Sequence, residues 1–537
     1  MKKLVFILFF LLSANAHALT EYYVDPDFAG GTKNGQAATP WSSLDAGAWS
    51  TIDTALASGA VTVYFSALAT DGTTQETYSS SIWCDRTDKS SNRLTLDGHG
   101  YYNTNDSSPS WSANPTAIGT AYTTGKVFKL TNTGFGIGWG RTSDEPKQDY
   151  VTVRGFEGLG PMAFAGDSTV YEYIYIHDTV NGAALSVLMT YYPDNASCAR
   201  VMDPSTDITL RYIKLVNVQG EGIYIGSSNI DCPDQVECDA GNEHDDIEIS
   251  NFYIEATGYG GGQGDGIDVK NGVTNVWIHD GEINGTGSTN VMGGIIVGQS
   301  FDPASAQNFT IERVYIHDIP SGGSEAVAIY GETSTISCSP ATSKGYNNLI
   351  IRNNIIENNY EGISLLSGGV LNSVYVYNNT IFDTENSGTA LVTGTCDDSN
   401  CEMKNNYSYS NTGVEMVVGT NWTSDYNAYY GTVTGTCGAN CDNLSENEKD
   451  AATATPAGGS AAAFDLISGS VLIDAGTDLS ESFTTDYSGT ARPQNSIFDI
   501  GAYEFDSAPA NTIQGVSISN LNVTKNLIAW HRTDGLR

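Results

Sequence analysis

Gly266-Ile267-Asp268-Val269 is one of six similar phrases along the middle of the chain, and their recurrence decides the fold. The others are Gly222-Ile-Tyr-Ile225, Gly294-Ile-Ile-Val297, Ala326-Val-Ala-Ile329, Gly362-Ile-Ser-Leu365 and Thr389-Ala-Leu-Val392. Each follows a β-branched run: Ile208-Thr-Leu210, Ile247-Glu-Ile249, Val276-Trp-Ile278, Phe309-Thr-Ile311, Leu349-Ile-Ile351 and Val374-Tyr-Val376. Equivalent positions lie 27 to 44 residues apart. Two short strands per unit at such a period mean a stacked array.

Within each unit apolar and polar residues alternate with period two, the pattern of a half-buried strand. Ile223, Ile267, Ile295, Val327 and Ile363 share one parity. One unit alone cannot bury that row, but winding successive units into a coil stacks like residues about 4.8 Å apart. Asn251, Asn353, Asn354, Asn378 and Asn379 follow the first strands. Asparagine tolerates left-handed backbone and bonds to nearby backbone, so it suits the sharp corners of a coil. The expected fold is all-β, a right-handed parallel β-helix, its hand set by the rule for parallel crossovers. The runs at 150–154 and 171–176 read as earlier turns of the same coil. A sandwich or propeller also has many short strands, but irregular spacing around a common core phrase argues against both.

Open sheet ends invite association. At the N-terminal end Asp45 is a helix-capping residue, Trp49, Ile52 and Leu56 form an apolar stripe, and Gly59 follows. A short cap helix across the first turn is therefore expected. The scheme is a leader at 1–18, a strand and cap helix at 19–60, and the coil at 61–443. An Ala-, Gly- and Thr-rich linker or loop at 444–463, a closing module at 464–505 and a tail at 506–537 complete it.

Lys2 and Lys3, the apolar run Leu4 to Leu12 and Ala16-His17-Ala18 have the form of an export leader cleaved after Ala18. No later stretch is long and apolar enough to span a bilayer. A monomer, secreted or held at the cell surface, is expected. The net charge is −38, which becomes −40 once the two leader lysines are removed. Nucleic acid is thereby excluded as a partner, because binding it needs basic groups to neutralise phosphates. An acidic polysaccharide would be repelled unless salt screens the field within about 8–10 Å and bound cations bridge the contact. Nine cysteines suit an oxidising compartment. The close pairs Cys232/Cys238, Cys396/Cys401 and Cys437/Cys441 read as loop disulfides rather than zinc sites, since no histidines accompany them. Cys84, Cys198 and Cys338 remain, and an odd total leaves at least one outside such pairs.

The densest chemistry lies between Gly264 and Glu282. If Ile267 and Val269 point inward, Asp268 and Lys270 point outward on one strand, about 6.6 Å apart along it. Asp265 stands at the turn leading in, His279 ends the next outward segment, and Asp245 lies one strand earlier. Carboxylates beside one lysine suit a Ca²⁺ ion and a base. The other reading is a solvated Asp268–Lys270 pair, worth about 0–1 kcal/mol. Aligning the phrases places no cation of any other unit at the Lys270 position. Glu221, Asp265, Glu325 and Glu361 each precede a second strand, as turn acids or a structural cation column.

The stretch Asp265-Gly-Ile-Asp-Val-Lys270 followed by Asn275-Val resembles a segment of β-helix polysaccharide lyases of the alginate-lyase type. That resemblance implies Lys270 as base and Ca²⁺ held by Asp265, Asp268 and Asp245. The arginine expected on the following turn is absent, since Gly298-Gln299-Ser300 stands there. Arg313 or His279 is its conjectured substitute, with His279 also a candidate acid. Pectate lyases of another type carry Asp-Asp-x-x-Asp at their Ca²⁺; Asp265 and Asp268 keep two of those three acids. The same stretch is similar to the Asn-Thr-Asp-Gly-Ile-Asp segment of polygalacturonases. Met292-Gly293-Gly294 replaces their Gly-Asp-Asp, and inverting hydrolysis needs a second carboxylate. Tyr22-Tyr-Val-Asp25 and Asn34-Gly35 resemble the opening of exported bacterial β-helix proteins. Ile473-Asp-Ala-Gly476, Arg492-Pro493 and Asp499-Ile-Gly-Ala-Tyr-Glu504 resemble their closing module.

Two functions follow as expectations. One is a Ca²⁺-assisted lyase of an acidic polysaccharide, with Tyr224, Tyr330 and Arg313 contacting the sugar. The other is a non-catalytic secreted or surface-associated β-helix that binds glycan through exposed tyrosines.

Overall fold

The computed structural model describes residues 19–69, 74–84, 90–103, 110–113, 127–133, 136–139, 148–180, 182–187, 190–193, 200–226, 244–261, 264–270, 272–288, 290–299, 307–319, 327–331, 345–365, 370–382, 390–409, 413–495 and 497–506. The export leader, the tail beyond Asp506, Glu325 and the cysteines Cys198, Cys232, Cys238 and Cys338 lie outside these residues.

The two strand phrases of each unit pair in parallel with their equivalents one turn away. Ile208, Ile247, Val276, Phe309, Leu349 and Val374 stack in one sheet. Ile223, Ile267, Ile295, Ile329, Ile363 and Leu391 stack in the other. Among the described residues the first sheet has 21 strands and the second has 12. This is the parallel β-helix expected from the repeat.

The first sheet is folded along a corner, which gives each turn three faces. At Tyr173, Tyr212, Asn251, Asp280, Arg313, Asn353, Asn378, Asn405 and Tyr426 the backbone turns left-handed, with φ between 51° and 58°. In upstream turns one bent strand passes through the corner, as in His244–Thr257 and Val273–Asn284. Downstream the bend splits it, as in Gly345–Arg352 and Ile355–Glu357. We call the part before this corner the first face, the part after it the second face, and the smaller sheet the third face.

Beside the corner runs a buried asparagine ladder. Asn354, Asn379 and Asn406 each donate a side-chain amide hydrogen to the next rung's Oδ1, ending on Asn427, at 3.0 Å per step. The same Oδ1 atoms accept from the preceding rung's backbone N–H. Buried polar groups are thus paired from turn to turn. The glycine of the Gly-Ile-x-Ile phrase has a separate cause. A Cβ on Gly266 would lie 2.6 Å from the Gly294 carbonyl and 2.9 Å from Ile283, and one on Gly294 would lie 2.4 Å from the Ala328 carbonyl. The third face closes onto the core too tightly there for a side chain.

That contact exposes a register error in the sequence alignment. Ile295 pairs with Ile329 rather than Val327, and Ile363 pairs with Leu391 rather than Ala390. The unit at 326–331 is displaced by two residues, which preserves parity. The last unit is displaced by one, which turns Leu391 inward. Tyr330 therefore falls in the row of Asp268, not in that of Lys270.

One core runs from Tyr22 to Val418. The cap helix, Ala46–Leu56, buries Trp49, Ile52 and Leu56 in it, and the Asp45 side chain accepts from the Ala48 N–H at 2.9 Å. The closing module packs on the downstream second face. Phe464, Leu466, Leu472, Ile500 and Tyr503 cover Tyr315, Ile355, Phe382, Tyr407 and Tyr409. Leu444, Ala452 and Ala463 join this cluster, so the segment at 444–463 is anchored to the coil. Corner asparagines tie the module down: Asn353 donates to the Thr485 carbonyl, Asn378 to those of Asp499 and Gly501, and Asn405 to that of Thr477. Inside the module Arg492 is fully buried against Glu504 at 2.9 Å.

Cys396–Cys401 and Cys437–Cys441 are disulfides, as the spacing suggested. Cys84 is a buried thiol whose Sγ lies 3.4 Å from Gln148 Oε1. Among the described residues no helix is long and apolar enough to cross a membrane.

Candidate functional site

The twelve strands of the third face carry no Lys, Arg or His in their described ranges. Their acids fall in two strands, Gly264–Val269 and Glu361–Leu365. Lys270 follows the first of these directly. Its Nζ lies 2.8 Å from Asp268 Oδ2 and 5.7 Å from the ring centre of Tyr224, which pairs with Asp268 one turn earlier. Tyr330 stands in the same row two turns later, after Ile296. Two tyrosines thus flank an ammonium–carboxylate pair along the coil axis, spanning three turns or about 14 Å.

The pair is less open than a solvated surface contact. The Asp268 side chain is 1 % exposed and that of Lys270 18 %. Asp265, expected at a turn, belongs to the strand and is 2 % exposed. A buried ion pair is costly to separate, because breaking it strands a charge away from water.

Three other expected site residues belong to different faces. His279 ends the first face of its turn, stacked on Trp277 with ring centres 3.7 Å apart. Its Nδ1 lies 2.6 Å from Asp280 and its Nε2 3.4 Å from Glu248. Arg313 occupies the left-handed corner one turn later and pairs with Asp280 at 2.7 Å and Glu312 at 2.8 Å. Asp245 opens the first face of its turn, bonded by Thr274 Oγ1 at 2.9 Å and by the Asn275 amide. The chain turns at Gly272 between Lys270 and these first-face strands. His279 belongs to the first face and Arg313 to its corner, whereas Lys270 ends a third-face strand.

No Ca²⁺ cradle forms from the expected trio. Among the described residues, one group of three His, Cys, Asp or Glu places its ligand atoms within 4.8 Å of one another: Cys396, Asp398 and Cys401. Its two sulfurs are joined to each other. Asp245, Asp265 and Asp268 do not converge in that way, so these three do not fit a shared ion.

A second site was missed in the sequence. At the upstream edge of the closing module a groove of about 670 Å³ opens over the second face, lined by Glu282, Tyr315, His317 and Glu357 of the coil and by Tyr487 of the module. His317 Nε2 lies 3.2 Å from Glu282 and its Nδ1 2.7 Å from Asp318. Burial pulls the His317 pKa down, but the bonds to Glu282 and Asp318 outweigh it and leave it raised. The Tyr315 hydroxyl donates to Glu357, and burial with that bond pushes its pKa far up. Burial likewise raises Tyr487.

The histidine arrangement recurs elsewhere. Tyr175-Ile-His177-Asp178, Trp277-Ile-His279-Asp280 and Tyr315-Ile-His317-Asp318 are one phrase. In each the ring stacks on the histidine, at 4.4, 3.7 and 4.2 Å. Each aspartate is left-handed, and each Nε2 faces a glutamate of the preceding turn: Glu157, Glu248 or Glu282. The phrase is legible in the sequence and is a corner device. What distinguishes the third copy is the closing module standing over it.

No family model and no curated protein matches the sequence. Among solved structures the chain is similar to pectate lyase Pel9A, at 12 % identity over 91 % of this chain and 96 % of that chain, with a TM-score of 0.44. It is similar to an alginate lyase from Paenibacillus sp. str. FPU-7, at 14 % identity over 72 % and 97 %, TM-score 0.37. It is also similar to XylC, solved with xylose, at 11 % identity over 90 % and 98 %, TM-score 0.45. These likenesses concern the fold alone.

Proposed function

We propose that this protein is a secreted polysaccharide lyase whose reacting uronate lies over Asp268 and Lys270, between Tyr224 and Tyr330. One observation supports the reading: the Lys270 side chain directly after a third-face strand is in contact with a carboxylate and flanked in register by two tyrosines. The neutral Lys270 amine would take the proton from C5. The electron pair then forms the C4–C5 double bond, and the glycosidic oxygen leaves protonated by the Tyr224 hydroxyl or water. Asp268 would stabilise the ammonium so formed. In the structure Lys270 Nζ already lies 2.8 Å from Asp268 Oδ2, the contact that the ammonium would keep after proton transfer.

The test is ultraviolet absorbance of the unsaturated product on alginate, polygalacturonate and other uronates, with added calcium and with chelator. The calcium and chelator arms test the expected Ca²⁺ requirement directly, since Asp245, Asp265 and Asp268 do not converge on one ion. Loss of absorbance in Lys270→Ala, with folding intact, is the expected result. Undiminished elimination by that variant removes Lys270 as base. New reducing ends without absorbance indicate hydrolysis, and binding without either product indicates the non-catalytic glycan binder.

A further inference from the structure

The groove beside the closing module is independent of Lys270, and its lining has a different chemistry. Upstream, the outward row of the second face reads Glu157, Tyr175, Lys214, Tyr253, Glu282 and Tyr315 in register. Lys214 lies 5.5 Å from the ring centres of both Tyr175 and Tyr253. Downstream the row turns apolar at Ile355, because the module covers it. The groove lies where that polar, aromatic row meets the module. Its volume of about 670 Å³ falls within the range of about 300–1,000 Å³ usual for small-ligand sites.

The acceptors that line it are fixed. Glu282 and Asp318 are held by His317, Asp318 also by Asn358, and Glu357 by Tyr315 and the Gly459 N–H. Rigid carboxylates accept hydrogen bonds from hydroxyls at little ordering cost. Tyr487 supplies a half-buried ring from the opposite wall. A uronate would meet like charge in this lining. An uncharged, hydroxyl-rich sugar would not.

We propose that this groove binds an uncharged oligosaccharide, at a site separate from the Lys270 face. Isothermal titration of the full chain with cellohexaose, xylohexaose and mannohexaose tests it, alongside hexagalacturonate and a hexamer of glucosamine. At least one uncharged hexamer should bind. Glu282→Gln and Tyr487→Ala should each weaken it about tenfold, the size of one charged hydrogen bond or one ring contact. Lys270→Ala should leave this binding unchanged, which separates the groove from the proposed elimination centre. Tyr487 also meets Tyr503 at 5.3 Å, so thermal unfolding of each variant is measured in parallel. Should Tyr487→Ala unfold, Glu282→Gln decides. The proposal is overturned if no uncharged hexamer binds, if Glu282→Gln binds as tightly as the parent, or if the glucosamine hexamer binds tighter than every uncharged one.

Discussion

Replacing Asn379 by alanine should cost about 4 kcal/mol of folding stability, from the bonds it makes and the absence of water to replace them. Its Oδ1 accepts from the Asn354 N–H at 3.1 Å and from the Asn354 amide at 3.0 Å. Its own amide donates to the Ile351 carbonyl and to Asn406 Oδ1, both at 3.0 Å. All of these residues are fully buried. The alanine variant leaves one backbone donor and one side-chain hydrogen with nothing to bond. At about 1–3 kcal/mol per orphaned buried group the total is ~2–6 kcal/mol. The comparison is Asn348→Ala, where an exposed ladder bond to Asn308 is lost at a corner with φ of 63°. Exposed bonds exchange for water, so that variant should lose only the left-handed preference, about 1 kcal/mol. Urea unfolding followed by far-ultraviolet circular dichroism measures both at constant slope. A double variant with Asn406→Ala should lose less than the sum, because the two share a bond. A loss for Asn379→Ala below about 1.5 kcal/mol, or equal to that of Asn348→Ala, would refute the ladder as a source of stability.

Stability should be greater near pH 5.5 than near pH 8. Burial lowers His177 and His317, but their carboxylate bonds outweigh it and raise both. Their stabilisation is therefore complete below the unfolded value of about 6.5 and lost as pH rises through the folded one. Burial raises Asp25 to about 6, Glu76 to about 7 and Glu504 to about 6, so these acids also favour the folded state less as pH climbs. Asp97 and Glu312, lowered despite burial by their His or Arg partners, set the acid limit, since their contribution fades as pH falls through the folded values. A melting temperature that is flat or rising from pH 5.5 to 8 contradicts this assignment. A double-mutant cycle of Asp268→Asn and Lys270→Met should give a coupling of about 1–3 kcal/mol, less than a wholly enclosed pair because the lysine is partly exposed; urea titration of the four proteins reads it. Reducing both disulfides should cost no more than about 2 kcal/mol each, because their cysteines are only 5 and 4 positions apart; scanning calorimetry with and without reductant checks this. Arg492→Ala strands Glu504 in the module core and should cost about 3–5 kcal/mol, seen as earlier protease cleavage within 464–505.

The fold was legible because stacking is a one-dimensional constraint. Each Gly-Ile-x-Ile phrase states which residue faces in, and Asp45 with Trp49, Ile52 and Leu56 states what covers the first turn. The slips at 326–331 and 389–393 arose because alanine can stand where glycine does, and only the backbone approach between Gly294 and Ala328 shows which alanine it is. Asp268 and Lys270 were legible as a pair because they share a strand. His279 and Arg313 could not be placed relative to Lys270 for the opposite reason. His279 lies nine positions after Lys270, but the turn at Gly272 carries the chain onto another face. The groove was not legible at all. Tyr487 comes to line one groove with Tyr315 because asparagines at 353, 378 and 405 dock a distant segment, and no local pattern announces that docking.

Those docking bonds also bear on how the molecule would respond to tension. A bare stack of coils pulled from its last rung peels open one rung at a time, each yielding at low force. Here Arg352, Asn353, Asn378, Thr380 and Asn405 are laced to a single segment. The load on the final rung is thus shared across several at once, and they must shear together instead of unzipping.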